Sequence, residues 1–351
     1  MEFASDNTSG ATPEVMAAVN AANAGYAPSY GIDPIMAEVT SLVRTAFDAP
    51  EAAVYLVPTG TAANALSAAL FCPPWGALYC HAEAHVDVDE CGAPEFYIGG
   101  GKTALVAGTH GKMTPDTLRA RMAQTPQGGV HHIQHGMLSL TNLTEAGTLY
   151  RPGEVASLTA LARAEGMKVH MDGARFANAL VAAGSAAGDL TWRAGVDVLS
   201  LGGTKNGCMG VEAVVLFDPA KAWEFELRRK RGAHLFSKHR FLSAQMAGYL
   251  RDGRWLDRAR HANAMSARLA AGLAALPDAG LVHPCQGNIV FARFPRGLHR
   301  KATEAGAHYY LWPFDQSLDG AEDVALSARF VCSWSTTEDD VEALLSLLRA
   351  G

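Results

Sequence analysis

An alternation of short apolar segments and helical segments between residues 54 and 217 is the feature that most constrains the fold. The apolar runs at residues 54–57, 168–171 and 196–201 are short and bounded by turn-forming residues, which is typical of buried strands. Strands that alternate with helices form βαβ units, and these assemble into a mostly parallel sheet covered by helices. The sequence therefore predicts an α/β fold.

The pattern changes after Pro219. A strongly charged segment occupies residues 224–231. After it we predict helices at residues 241–250, 255–276 and 337–348, and strands at residues 289–293, 309–312 and 328–333. A chain of 351 residues is long enough for two cores. We predict a large domain at residues 1–232, which includes the N-terminal segment, and a smaller C-terminal α+β domain at residues 233–351.

Bulk composition excludes several classes of partner. The net charge is −6 and no basic block is present, so we expect neither nucleic acid nor an anionic membrane as a partner. Residues 52–82 lack Asp, Glu, Lys and Arg, but glycine, asparagine and proline interrupt them too often for a membrane span. The six cysteines are scattered and no signal-peptide pattern opens the chain, so we predict a reduced, cytoplasmic protein.

A glycine-rich turn that contains Lys205 follows the last of the three strands, in the order Gly202-Gly203-Thr204-Lys205-Asn206-Gly207. A lysine in this position is a candidate for covalent attachment of pyridoxal phosphate or for contact with a phosphate. The P-loop motif is excluded, since it requires Gly-Lys-Ser/Thr and this turn reads Thr-Lys-Asn. An ordinary surface turn gives the same local pattern, so a second residue has to support the assignment.

That second residue is Asp172, which ends the predicted strand at residues 168–171 and precedes Gly173-Ala174-Arg175. A carboxylate in this position keeps the pyridine nitrogen of pyridoxal phosphate protonated. Asp172 and Lys205 both follow strands, and open α/β sheets bind ligands at the carboxyl ends of their strands.

The segments His170-Met171-Asp172-Gly173-Ala174-Arg175 and Gly202-Gly203-Thr204-Lys205-Asn206-Gly207 resemble the threonine aldolase family. Further matches extend from about Phe3 to Trp334, and the bacterial low-specificity L-threonine aldolases, a branch that includes phenylserine aldolases, are the most similar group. The resemblance implies a pyridoxal-phosphate enzyme with the aspartate-aminotransferase-like architecture, fold type I. It also implies a homodimer or homotetramer with active sites at the subunit interface.

The resemblance assigns further residues to the cofactor. Gly60 and Thr61, at the start of a predicted helix, hold the phosphate, as free helix N–H groups and the positive helix end allow. His85 stacks on the pyridine ring. Arg175 and Thr204 also contact the cofactor, beside Asp172 and Lys205.

Other matches concern the substrate. Ser5, Arg175 and Arg329 are implied to bind the amino acid, and Arg329 also stands out because it interrupts an apolar strand and needs an anionic partner. Tyr30, in a Tyr-Gly-x-Asp turn, is implied to lie near the cofactor of the adjacent subunit. The turn Thr144-Glu145-Ala146-Gly147 resembles one of this branch, but we assign it no role.

Histidines at residues 131, 132 and 135 form a cluster in a predicted loop. No carboxylate or cysteine accompanies them at ligand spacing, so we predict no protein-encoded metal site. His131 aligns with an active-site histidine of the family, and it joins Lys205 and His85 as a predicted catalytic residue. Which histidine, or water, acts as the base is left open.

The predicted activity is retro-aldol cleavage of L-threonine, L-allo-threonine or a related β-hydroxy-α-amino acid such as phenylserine, to glycine and an aldehyde. Another fold-type-I reaction, either β-elimination or transamination, is the alternative, because fold alone does not fix the reaction. A non-catalytic pyridoxal-binding protein and a metal-dependent lyase built on the histidine cluster are the two other hypotheses.

Overall fold

We describe the chain from a computed structural model, in which residues 1–349 are placed. Its larger sheet has seven strands, β1 (Ala53–Val57), β2 (Gly76–His81), β3 (Lys102–Val106), β4 (Gln134–Thr141), β5 (Lys168–Gly173), β6 (Val198–Gly202) and β7 (Glu212–Leu216). The strand order is β1-β7-β6-β5-β4-β2-β3. Only β7 runs against the others, because it pairs antiparallel with both β1 and β6 while the remaining pairs are parallel. The predicted mostly parallel sheet is confirmed.

Helices cover both faces of this sheet and continue into the C-terminal part. They are α1 (Pro13–Ala22), α2 (Pro34–Phe47), α3 (Gly60–Phe71), α4 (His85–Val88), α5 (Ala93–Ile98), α6 (Pro115–Ala123), α7 (Pro152–Ala164), α8 (Phe176–Ala183), α9 (Ala187–Leu190), α10 (Ala222–Arg231), α11 (Arg240–Leu250), α12 (Arg254–Ala274), α13 (Arg296–Glu304) and α14 (Glu338–Arg349). Within the placed residues, no helix is both long and apolar enough to cross a membrane.

A second sheet follows α12 and contains β8 (Gly280–Leu281), β9 (Ile289–Pro295), β10 (Tyr310–Leu311) and β11 (Ala325–Val331). All its strand pairs are antiparallel, in the order β10-β11-β9-β8. Side chains of β9, β11, α12 and α14 form its core. This is the predicted smaller α+β unit.

Packing at the predicted domain boundary adds two details. Phe3 is fully buried in the core of the small sheet, and its backbone exchanges hydrogen bonds with His308 and Val331. Helix α11 contributes to the core under the large sheet instead. The N-terminal segment therefore reaches the small unit, and α11 belongs by its packing with the large one, so a boundary at residue 232/233 stays a prediction.

Candidate active site

A cavity of about 510 Å³ opens at the edge of the large sheet where the parallel strands end. Its walls come from the segments that follow β1, β2, β4, β5 and β6, and from the small sheet. The carboxyl ends of parallel strands meet at one edge, which explains why distant segments converge here. All but two of the candidate residues from the sequence line this cavity, namely Ser5, Gly60, Thr61, His85, Asp172, Arg175, Thr204, Lys205 and Arg329.

Lys205 lies in a single 3₁₀ turn, Thr204–Asn206, directly after β6. The turn is fixed from below, since the Asn206 amide donates to the Tyr249 hydroxyl at 3.0 Å and to the Trp255 carbonyl at 2.8 Å. Gly202 must be glycine because a Cβ there would collide with the Ala174 backbone. Burial, and secondarily the charge of Arg175, lower the pKa of Lys205. A lysine amine with a lowered pKa is a better nucleophile near neutral pH.

Asp172 is buried at the end of β5 and belongs to a hydrogen-bonded network. Its Oδ2 accepts from the Asn64 amide at 2.9 Å, and its Oδ1 accepts from the Ala174 N–H at 2.9 Å. The same Asn64 amide donates to Glu90 Oε1 at 2.7 Å, and that oxygen lies 2.9 Å from His85 Nδ1. The hydrogen bond to Glu90 raises the pKa of His85. Four residues from three parts of the chain are thus held in fixed orientations.

The first turn of α3 provides a candidate anion site. Gly60 and Thr61 occupy the first two helical positions, so their N–H groups have no acceptor within the helix. Thr59 caps the helix by accepting from Ala62 N at 3.1 Å. Thr204 lines the same cavity, and its hydroxyl accepts from Val211 N at 3.1 Å. Free N–H groups and the positive helix end together favour a phosphate.

The two arginines of the cavity differ in their partners. Arg175 donates to both carboxylate oxygens of Asp6, at 2.7 and 2.9 Å. Arg329 has no carboxylate partner within residues 1–349, and its guanidinium lies over the rings of Trp312 and Tyr310, at 4.8 and 5.5 Å from their centroids. Burial, and then the nearby Arg175, lower the pKa of Arg329. Of the two arginines, Arg329 is therefore the one that is free to bind the carboxylate of a ligand.

Comparisons with known proteins identify the family of this chain. The model of the beta-eliminating lyase family matches residues 2–294. A low-specificity L-threonine aldolase of Pseudomonas sp. (strain NCIMB 10558) is 37% identical over 349 residues, 99% of this chain and 97% of that protein. One from Pseudomonas aeruginosa is 38% identical over 348 residues, 99% of this chain and 96% of that protein. The chain belongs to the beta-eliminating lyase family.

Within this family the chain is a homologue of the low-specificity L-threonine aldolases over nearly its whole length, which confirms the resemblance read from the motifs. The solved structure of Leishmania major threonine aldolase has a TM-score of 0.91 to this chain at 24% identity, covering 99% of this chain and 98% of that one. The predicted fold type I is thereby confirmed. Family and fold imply pyridoxal phosphate as the cofactor, as the sequence predicted.

The residues of the cavity fit this cofactor. Three buried polar atoms of cavity-lining residues have no hydrogen-bonding partner within residues 1–349, namely Asn64 Oδ1, Glu90 Oε2 and Arg329 Nε. The N–H groups at the start of α3 also lack acceptors within that helix, as described above. A phosphate would accept from the free N–H groups and a substrate carboxylate from Arg329 Nε, while polar hydrogens of the cofactor ring would donate to the two oxygens.

One ligand-like triad occurs within residues 1–349, formed by His85, Glu90 and Asp172, whose atoms lie within 4.8 Å of one another. Asn64 donates to both of its carboxylates, so these groups already have hydrogen-bonding partners. This arrangement orients the network at the cavity and belongs to the site described here. The histidine cluster at residues 131–135 does not form such a triad.

His131 does not line this cavity within a single chain, so its predicted catalytic role stays a prediction. His131 is exposed and precedes Gln134, the first residue of β4, whereas the cavity lies beyond Thr141, the last residue of that strand. The eight residues of β4 span about 26 Å. The full length of strand β4 therefore separates His131 from the cavity of its own chain.

Tyr30 does not line the cavity either. It is 47% exposed, and its ring lies 4.9 Å from the Lys230 ammonium. Since the resemblance assigns Tyr30 to the site of an adjacent subunit, its role stays a prediction.

Glu145 and Glu212 are cavity carboxylates that were given no role from the sequence. Glu145 follows β4, one strand away from Asp172, and its turn was noted without a function. Glu212 is the first residue of β7, and it accepts from Gly203 N at 2.6 Å. An antiparallel strand brings its first residue, not its last, to this edge, and no local pattern identifies β7 as antiparallel. Burial raises the pKa of both carboxyls to about 7.

Proposed function

We propose that this chain cleaves L-threonine, L-allo-threonine and related β-hydroxy-α-amino acids to glycine and an aldehyde. The observation that carries the proposal is the Arg329 guanidinium, which has no carboxylate partner within residues 1–349 and lies in the same cavity as Lys205 and Asp172. An α-amino acid brings the carboxylate that Arg329 lacks. The full-length similarity to low-specificity L-threonine aldolases supports retro-aldol cleavage over other reactions of the fold.

The residues that would hold pyridoxal phosphate follow from the site. Lys205 would attach the cofactor, Asp172 would face its ring nitrogen, and His85 would lie against the ring. The N–H groups of Gly60 and Thr61 would bind the phosphate. When bound, the cofactor supplies a ring that withdraws electrons from the substrate α-carbon as its Cα–Cβ bond breaks.

Side chains of the protein itself would bind the substrate and transfer its protons. Arg329 orients the substrate through its α-carboxylate, a charge-assisted contact that a planar guanidinium makes bidentately. Arg175, held by Asp6, contributes positive charge beside that carboxylate. Lys205, which lines the same cavity, can deliver a proton to the substrate α-carbon.

The fixed α-carbon and the less constrained β-carbon predict the stereochemistry. Amine and carboxylate would anchor the α-carbon at two points, whereas the hydroxyl would be bound at one point only. We expect L-threonine and L-allo-threonine to be cleaved and D-threonine not. Strict discrimination by the wild type between the two L-isomers would contradict this view of the β-carbon.

Product analysis distinguishes the proposed aldol cleavage from β-elimination, the reaction after which the family is named. Purified enzyme loaded with pyridoxal phosphate is incubated with L-threonine, and glycine, acetaldehyde, ammonia and 2-ketobutyrate are measured. Glycine and acetaldehyde in equal amounts support the aldolase. Ammonia with 2-ketobutyrate, and no glycine, would assign the chain to β-elimination.

Two further proposals concern the cellular setting. Assembly into a homodimer or homotetramer is expected from the family, and exposed apolar side chains such as Tyr26 and Ile32 are compatible with it. A cytoplasmic location agrees with the six cysteines, all of which are free. Light scattering in solution tests the first proposal and cell fractionation the second.

A further inference from the structure

Glu145 is a cavity carboxylate that the reaction as described so far does not use. It lines the cavity together with Lys205, His85 and Arg329. Its Oε1 accepts a hydrogen bond from the backbone N–H of His85 at 3.0 Å. Within residues 1–349 no side chain donates to it and no cation pairs with it. Glu145 differs in this from Asp6, Glu90 and Asp172, each of which accepts from a neighbouring side chain.

The turn that carries Glu145 is rigid. Thr144 N donates to the Thr148 carbonyl and Gly147 N to the Thr144 carbonyl, both at 2.9 Å, and the two threonine hydroxyls lie 2.8 Å apart. Gly147 has φ +76°, and a Cβ there would stand 2.7 Å from the Ile289 carbonyl. The position of Glu145 is therefore set by the backbone and by contact with the small sheet, as a catalytic group requires.

The surroundings of Glu145 suit the outer end of an amino-acid substrate. Leu143 and Ile289 line the same cavity and offer an apolar wall for a methyl or aryl substituent. The Glu145 side chain is only partly buried and lines the cavity, so a ligand in the cavity can reach it. Burial, followed by the charge of Asp172, raises the pKa of Glu145 to about 7, where a carboxyl both accepts and releases protons.

We propose that Glu145 is the acid–base group for the β-hydroxyl of the substrate. The inference rests on the proposed aldolase function. The Glu145 carboxylate takes the hydroxyl proton, the Cβ–O bond becomes the aldehyde C=O, and the Cα–Cβ bond breaks. The electron pair left on the α-carbon takes a proton from Lys205 Nζ, which gives glycine. Glu145 then releases its proton to solvent and Lys205 regains one, so that protons balance without an oxidant or reductant.

The alternative is that Glu145 only positions His85 through the backbone hydrogen bond. Glu145→Gln separates the two, because glutamine keeps the shape and the accepting oxygen but cannot take up the proton. The exposed Glu83, which follows the end of β2, provides the matched control Glu83→Gln.

The test compares two reactions of the loaded enzymes. One is cleavage of L-threonine, and the other is exchange of the glycine α-hydrogen with D₂O, followed by NMR, which involves no β-hydroxyl. We expect Glu145→Gln to lose about 10²–10⁴-fold in threonine kcat while glycine exchange and the Kd for pyridoxal phosphate stay within about twofold. Glu83→Gln should match the wild type in all three.

A measurement on the cofactor-free protein adds a second readout. Infrared titration of wild type minus Glu145→Gln should show one carboxyl that protonates near neutral pH. Unchanged threonine turnover in Glu145→Gln would overturn the proposal, as would equal losses of cleavage and glycine exchange, which indicate a positioning role. A wild type that exchanges glycine but cleaves no threonine would instead refute the proposed function.

Discussion

Asp6 and Arg175, 169 positions apart in the chain, form a bidentate ion pair at the wall of the cavity, with distances of 2.7 and 2.9 Å. Both are largely buried, and Asn288 donates a third hydrogen bond to Asp6 at 3.0 Å. Burial alone would raise the pKa of Asp6, but the charges of Arg175 and Lys205 hold it below its ordinary value. The N-terminal segment thus supplies the negative charge that balances Arg175, although the two residues are distant in the sequence.

Breaking this pair should destabilise the protein. Asp6→Asn leaves the Arg175 charge buried without its partner, and we expect a loss of about 3–5 kcal/mol in the free energy of unfolding, measured with urea at pH 7. The exposed pair of Asp116 with Arg119 provides the control, and Asp116→Asn should cost less than about 0.5 kcal/mol. Equal losses of unfolding free energy in the two variants would show that the buried Asp6–Arg175 pair stabilises the protein no more than an exposed pair.

The same pair predicts a pH dependence with a definite sign. A carboxyl whose pKa is lower in the folded state stabilises the fold above its unfolded value, 3.8 for aspartate, and loses this contribution as the pH falls through the folded value. Wild type and Asp6→Asn should therefore converge in stability below pH 3.8. A difference that persists unchanged into acid would contradict this assignment.

Glu145 predicts the opposite sign. Its pKa in the folded state, about 7, exceeds the ordinary 4.5, so its contribution to stability is complete below pH 4.5 and declines as the pH rises to about 7. Glu145→Gln should raise the melting temperature relative to wild type at pH 8 and leave it nearly unchanged at pH 4.5. Thermal unfolding of both proteins across this range checks the expectation. A variant less stable than the wild type at pH 8 would contradict the claim that the ionised Glu145 carboxylate destabilises the fold.

Arg329 is expected to determine the affinity for the substrate. Arg329→Lys replaces a planar fork by a point charge, and the loss of about 1.5–3 kcal/mol should raise the KM for L-threonine about tenfold to a hundredfold. Arg293, exposed on β9 of the same sheet, gives the control Arg293→Lys. An unchanged KM in Arg329→Lys would mean that the carboxylate binds elsewhere.

The two predicted histidines should now behave differently. His85→Phe keeps a ring but loses the link to Glu90, so threonine cleavage and glycine exchange should both fall, by at least about tenfold. His131→Phe should leave both reactions within about twofold, since His131 precedes β4 at the opposite edge of the sheet. A large effect of His131→Phe would require that it reaches the cavity of a partner subunit.

Residues at strand ends were the predictable part of the site. Asp172 lies at the end of β5 and Lys205 follows β6, and parallel strands bring such residues together, so local patterns sufficed. By the same logic His131, which precedes β4, lies away from the cavity of its own chain, and Glu145, which follows β4, lies beside the cavity. Strand direction is the signal in the sequence that points to Glu145.

Other features depend on contacts that no local pattern encodes. The Asp6–Arg175 pair and the placement of Phe3 in the small sheet require the folded arrangement of both sheets. Glu212 reaches the cavity because β7 is antiparallel, a property of the pairing of whole strands. Long-range pairing of this kind escapes reasoning from spacing and composition.

The identity of the cofactor lysine is the central claim, and chemical labelling tests it most directly. The purified enzyme loaded with pyridoxal phosphate is reduced with borohydride, digested and mapped by mass spectrometry. The account predicts a single phosphopyridoxyl label on Lys205, and none on that peptide after Lys205→Ala. A label on another lysine, or no label on a protein that cleaves threonine, would contradict it.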